Sequence, residues 1–259
     1  MNSVVCVSHV PDTESRIKIG ADKERVEETG IKFIVSPYDE YALEAAIRVK
    51  EAKGGDVTVI TFGPDRAAQA LRECLARGAT KALHVKGDVA NADSLGIAKV
   101  LAAAIKSVPH DLVLFGKQGV GTDNALVGPM VAEILGYPQV NVVTHLEAGD
   151  GKVTAHREIE GAEEIIEAST PAVITAQKGL NEPRYASLKG IMAAKKIPID
   201  TKTVADLGLS DSDIFKQRVV VVSIDLPAEK AGGRKIDGAD PATAAKEIVK
   251  YIREEAKAL

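Results

Sequence analysis

The sequence predicts an α/β protein: a doubly wound, mainly parallel sheet in a three-layer sandwich, with an antiparallel edge hairpin and a C-terminal arm. Three observations predict it. Short β-branched runs recur along the chain, most of these runs are apolar throughout rather than alternating, and the segments between them carry a helical period. Continuous apolarity is what a strand shows when helices cover both faces of its sheet, and a helix is the usual crossover between parallel strands.

The predicted buried strands are VVCVSHV at 4–10, VTVITF at 57–62, ALHV at 82–85, LVLF at 112–115, NVVTHL at 141–146 and AVITA at 172–176. The first helix opens at Ser36-Pro37-Tyr38-Asp39. Ser36 can cap, Pro37 suits the first helical position, Asp39 completes an S-x-x-D box, and Leu43, Ala46, Ile47 and Lys50 mark the helical period until Gly54-Gly55 stops it. A second helix runs from about Asp65 to Arg77 and ends at Gly78, a third from about Ser94 to Lys106 before Pro109, and a fourth follows in ALVGPMVAEILG. From Lys152 the texture changes: KVTAHREIE, Gly161 and AEEIIEAST read as an antiparallel hairpin at a sheet edge. Beyond Pro198 come DLGLSDSD, a short strand RVVVVSI at 218–224, the Gly/Lys-rich stretch AEKAGGRKIDGAD and a final helix over about Ala242 to Ala258, the pattern of an arm rather than a second core.

Composition narrows the function. At 259 residues the chain suits one large or two modest domains, given about 150 residues per domain. Its 33 basic and 37 acidic side chains leave a net charge of −4, which excludes a general polyanion binder. Five Tyr, four Phe and no Trp are too few for the stacking platforms that single-stranded nucleic-acid binders use. Cys6 and Cys74 stand alone in apolar stretches without CxxC spacing, which fits a reducing compartment and no cysteine-ligated metal. The start MNSVVCVSHVPD has no basic n-region, and no run of 18 apolar residues occurs, so a soluble, cytoplasmic protein that is not membrane-inserted is expected.

The segment most informative about chemistry is LVLF followed by Gly116-Lys117-Gln118-Gly119-Val120-Gly121-Thr122-Asp123-Asn124 and then a helix. A strand feeding a Gly-rich turn into a helix N-terminus offers free backbone N–H groups and the positive end of a dipole, which suit a phosphate. The spacing is neither G-x-G-x-x-G nor Walker A, so by itself it fits an ordinary structural turn equally well. Position adds weight. In an open parallel sheet ligands sit beyond the carboxyl ends of the strands, where Ser8–Asp12 and Phe62–Asp65 also lie, with Ser36–Asp39 at a helix start. Four such loops could enclose one nucleotide in a Rossmann-like sheet.

Other chemistries fare worse. Ser8 and His9 are neighbours along a strand, so their side chains diverge, and no G-x-S-x-G elbow presents a nucleophile. His84, His145 and His156 are solitary, without HExxH or HxxEH spacing, and no metal site is assigned. Glu158, Glu160, Glu163, Glu164 and Glu167 fit a solvated face or an acidic docking surface. The stretch from Asn181 to Met192 places Tyr185, Leu188, Ile191 and Met192 beside charged Glu182 and Arg184. It reads either as a loop closing on its own core or, with Leu188 exposed, as an apolar docking anchor.

Taken together these segments resemble the beta subunit of electron transfer flavoprotein, nearly continuously from Val4 to about Ile197. The carriers are VCVSHVPD, SPYDEYALEAA, TFGPD, ARGATKA, GKQGVGTDN followed by GP, REIEGAEE and LNEPRYASLKGIM, with DLGL at 206–209 in the arm. The resemblance implies an electron carrier without stand-alone catalysis, made with an alpha subunit that holds most of the FAD. It implies donors among acyl-CoA and related dehydrogenases, as in fatty acid oxidation, and a membrane quinone oxidoreductase as acceptor. It implies an adenine-nucleotide-binding sheet with a structural AMP in this subunit, held at Cys6, Ser36, Pro37, Tyr38, Asp39, Phe62 and the loop Gly116 to Val127, with Thr13 and Tyr38 near the flavin. The family's recognition loop maps onto Tyr185 to Met192 with Leu188 as anchor, and Glu182 and Arg184 are carried with it as partner-binding residues. Relatives that bifurcate electrons hold a second FAD in place of AMP, and the YASL form of the loop points to the single-flavin type. Residues 1–200 are thus expected to be the nucleotide-binding domain and 201–259 an arm packing on the alpha subunit. A free-standing nucleotide-binding stress or signalling domain is the competing expectation.

Overall fold

The computed structural model of the chain describes residues 1–228 and 232–258, so part of the predicted Gly/Lys-rich stretch, 229–231, lies outside the described residues, as does 259. In chain order the elements are β1 (Ser3–Cys6), β2 (His9–Pro11), β3 (Phe33–Val35), α1 (Pro37–Lys53), β4 (Val57–Gly63), α2 (Ala68–Arg77), β5 (Lys81–Lys86), α3 (Ser94–Lys106), β6 (Leu112–Gly116) and α4 (Val127–Leu135). They continue as β7 (Gln139–Ala148), β8 (Lys152–Ile159), β9 (Ala162–Ser169), β10 (Ala172–Ala176), α5 (Leu188–Ala194), β11 (Asp200–Thr203), α6 (Asp211–Ile214) and α7 (Pro241–Lys250).

One sheet runs β11-β5-β4-β1-β6-β10-β7-β8-β9. It is parallel from β11 through β7 and antiparallel across β7, β8 and β9. The predicted edge hairpin is therefore present, turning at Gly161. Side-chain alternation divides the core. Val5, Leu112 and Leu114 pack with Leu43 and Ile47 of α1 and Leu71 of α2, while Val4, Val113 and Phe115 pack with Val100 and Ile105 of α3 and Val131 of α4. Burying each such aliphatic side chain on both faces contributes about 1.5–3 kcal/mol, which is why a continuous apolar strand is stable only under two helical layers.

Four expectations are corrected. The run 4–10 is interrupted after Cys6: β1 stays in the main sheet, and β2 pairs antiparallel with β3 in a small separate sheet. The predicted helix from Asp65 opens as a 3-10 turn over Asp65–Ala67 before α2. Residues 218–224 form no strand; Val219, Val220, Val221 and Val222 are exposed and unpaired, because β propensity creates no strand where no sheet edge receives it. The sheet continues past residue 200 through β11, whose polar DTKT sequence is tolerated because it is an edge strand, paired to β5 alone.

The chain divides into two compact units, Met1–Val222 and Ser223–Leu259. In the second, Asp240 caps α7 by accepting from Ala242 N, and Pro241 takes the first helical position. α7 leads into a single π turn at Tyr251–Glu255, against which Arg234 pairs with Glu255 at 3.1 Å. Among the described residues no helix is long and apolar enough to cross a membrane.

Candidate functional site

The order of the strands reverses between β1 and β6: from β1 the chain builds outward through β4 and β5, then returns to lay β6 on the other side. Adjacent strands whose connections leave in opposite directions part at their carboxyl ends, and a crevice opens there. Here those ends are Cys6 to Ser8 and Gly116 to Lys117. Three of the predicted loops converge on them.

Asp39, in the first turn of α1, bridges the two sides. Its Oδ2 accepts from Ser8 N at 2.8 Å and Ser8 Oγ at 2.7 Å, and its Oδ1 accepts from Gly116 N at 2.9 Å. Burial pushes the Asp39 carboxyl up to about 6, although the Ser8 and Gly116 donors favour its charged form. The expected capping box is therefore not formed. Asp39 serves distant donors, and Ser36 occupies the cap position with its Oγ buried and without a partner. Ser36 N instead donates to Ser8 O at 3.0 Å. The other pole of the crevice is Gly116, where a Cβ would lie 2.6 Å from Tyr38 and from Asp39 Oδ1; only glycine allows this approach.

Beyond Gly116 the chain winds through three left-handed residues in five positions, Gly121 (φ 104°), Asp123 (φ 48°) and Ala125 (φ 52°). Positive φ at alternate residues is one of the features of an anion-binding nest. The loop is self-braced: Lys117 N donates to Ala176 O, Asp123 N to Gly119 O, and Gln118 Nε2 to Asp123 Oδ1 at 2.8 Å, while Asn124 reaches Ser94 Oγ at 2.9 Å. It feeds α4, whose first turn has no side-chain cap, leaving N–H groups free. Gly119 adjoins the crevice, its missing Cβ 4.0 Å from Ser8 Oγ. Lys117 Nζ lies 5.4 Å from the centre of the Tyr38 ring.

The remaining predicted residues lie at graded distance. Cys6 and Phe62 are buried in the core beneath the loops, and burial followed by the Asp39 charge drives the Cys6 thiol far up, so it is an inert wall. Thr13 is exposed in the turn after β2 and shares no hydrogen bond with the Asp39 cluster. Ser8 is the residue that motif reasoning undervalued; its signal was the neighbouring strand end, not its type. Among the described residues no group of His, Cys, Asp or Glu gathers as a metal site.

A second surface lies in the same unit, on 181–192. Ser187 Oγ caps α5 by accepting from Gly190 N, and Leu188 is the first helical residue. Tyr185 and Leu188 are 94% and 85% exposed, beside exposed Ile191 and Met192. Glu182 is exposed, whereas Arg184 turns inward to Glu44 and Glu51 of α1.

Comparison with known proteins is consistent throughout the chain. The model of the electron transfer flavoprotein domain matches residues 24–207. The electron transfer flavoprotein subunit beta of Bacillus subtilis (strain 168) is 38% identical over 261 residues, covering 100% of both chains. That of Syntrophomonas wolfei is 39% identical and covers 98% of this chain and 96% of its own. A caffeyl-CoA reductase-Etf complex subunit, CarD, of Acetobacterium woodii is 38% identical over 98% of each chain.

Proposed function

The chain belongs to the electron transfer flavoprotein beta-subunit family, and from that premise we propose that it carries electrons as one half of a heterodimer, with an AMP in its own crevice and an FAD held mainly by the alpha subunit. Its donors are acyl-CoA and related dehydrogenases, its acceptor is a membrane quinone oxidoreductase, and it has no stand-alone catalysis. The name of the Acetobacterium relative places that protein in a complex with a CoA-ester reductase.

The single observation that carries the AMP assignment is the Asp39 bridge across the strand-order reversal. Beside it the buried Ser36 Oγ has no partner. These groups fit an adenosine phosphate. N–H groups of the loop 117–127 other than those of Lys117 and Asp123, together with the Lys117 ammonium, would take the phosphate, Ser36 would take a polar group, and Cys6 and Phe62 would form the apolar floor. Asp39 braces the two strand ends that flank the site through Ser8 and Gly116. The flavin supplies reversible electron storage when bound. This chain's share is Tyr38 and Thr13, candidates for tuning the flavin potential. The exposed Leu188 anchor admits brief encounters with several partners, and the arm that packs on the alpha subunit is the part beyond the first compact unit, from Ser223 onward.

Family membership favours this reading over a free-standing nucleotide-binding domain, and the two differ in one measurement. Purified alone, the chain is expected to lose flavin absorbance on gel filtration. Co-purified with its alpha subunit, it is expected to keep about one FAD per heterodimer. A lone monomer that retains stoichiometric flavin would overturn the proposal.

A further inference from the structure

Arg184 makes no use of its exposure. It donates from Nε to Glu44 Oε2 at 2.8 Å, from Nη2 to Glu44 Oε1 at 3.0 Å, and from its backbone N to Glu44 Oε2 at 3.3 Å. The same guanidinium donates from Nη1 and Nη2 to the two oxygens of Glu51 at 2.5 and 3.0 Å. Glu44 and Glu51 stand two turns apart on one face of α1, with Arg48 Nε also on Glu44 at 2.8 Å. Burial works against the Glu44 charge, yet the Arg184 and Arg48 donors hold its carboxyl below the usual range, and Arg184 does the same for Glu51. One planar fork serving two carboxylates has a fixed orientation, which a lysine cannot reproduce.

The clamp is one of several ties around a single exposed patch. Asn181 Nδ2 donates to Tyr41 O at 2.9 Å, one turn before Glu44. On the far side of the patch, Gly190 sits so close to Ala76 O that no Cβ fits, and Arg72 Nη1 donates to Ala194 O at 2.6 Å and to Ile197 O. Between these fixed points Tyr185 and Leu188 are the two most exposed large apolar side chains of the stretch.

We propose that Arg184 is a positioning residue for partner docking: by bridging Glu44 and Glu51 it locks the loop onto α1 and presents Tyr185 and Leu188 already in their bound arrangement, without contacting the partner itself. This rests on the reading of Leu188 as the docking anchor. An anchor held in place before encounter avoids the ordering entropy that a free loop would lose on binding. The clamp and Asp39 also share α1, so the docking patch and the nucleotide crevice are mounted on one rigid rod.

The test is the concentration of alpha–beta heterodimer that half-saturates its reduction by a purified acyl-CoA dehydrogenase able to reduce the wild type. Arg184→Gln is expected to raise that concentration about tenfold or more, and Arg184→Lys to recover only part of the loss. Glu51→Gln, which leaves the buried Glu44 pair intact, is expected to raise it a few-fold; it carries the test if Arg184→Gln fails to fold. In a Leu188→Ala background, Arg184→Gln is expected to add little, because it acts through the anchor. If the two effects multiply in full, or if neither clamp variant changes half-saturation while Leu188→Ala does, the positioning role is overturned and the docking reading stands. If Leu188→Ala changes nothing, the docking reading falls and takes this inference with it.

Discussion

Asp39→Ala is expected to destabilise the folded chain by about 2–5 kcal/mol, roughly 5–15 °C in the midpoint of unfolding, and to empty the nucleotide crevice. The substitution strands two backbone donors, Ser8 N and Gly116 N, which donate to Asp39. It also removes the side chain that ties the end of β1 to the end of β6 across the crevice. The same residue gives the stability a definite pH dependence. Its carboxyl sits at about 6 in the fold against 3.8 when unfolded. The folded state therefore binds the proton more tightly, so this group favours the fold most below about pH 4, and that share declines as pH rises through 6. The displacement corresponds to about 3 kcal/mol. Wild-type melting followed from pH 4 to pH 7 is expected to carry this downward component, and Asp39→Ala to lack it. Identical pH slopes in the two proteins would show that Asp39 does not titrate in the fold.

Leu188→Ala is expected to weaken coupling to the dehydrogenase by about 1–3 kcal/mol, a roughly 5- to 150-fold rise in the half-saturating concentration, with thermal stability and nucleotide content unchanged. The side chain is 85% exposed and contributes little to the core, so its loss removes a partner contact and almost nothing else. Stopped-flow reduction of the heterodimer, with melting as the control, separates the two effects. Unchanged reduction kinetics would refute the anchor.

Much of this was legible in the sequence because the physics was local. VTVITF, LVLF and AVITA are apolar on both faces, and a strand so composed has to lie between helices; all three do. The Gly-rich turn after LVLF declares a strand-to-helix junction, whereas Tyr185 and Leu188 among polar neighbours fit a loop closed on its core as well as an exposed anchor, and the fold shows them exposed. What was not legible depends on groups far apart in the chain. Asp39 fits a capping box by spacing, yet its carboxylate goes to Ser8, 31 residues away, and to Gly116, 77 residues away. Arg184 looked like part of a docking face, yet its partners are 140 and 133 residues away. The valines at 219–222 have the composition of a strand but no sheet edge beside them, and β11 has an edge without the composition. In each case the partner, not the residue, decides the role.

The central claim is that main-chain amides at the crossing of β1 and β6 hold an adenosine phosphate while electrons pass through a flavin shared with a second subunit. Mass quantification of the nucleotides released on denaturing the co-purified heterodimer tests it most directly. One AMP and one FAD per heterodimer is the predicted result; two FAD and no AMP, or no adenine nucleotide beyond the single flavin, would contradict it.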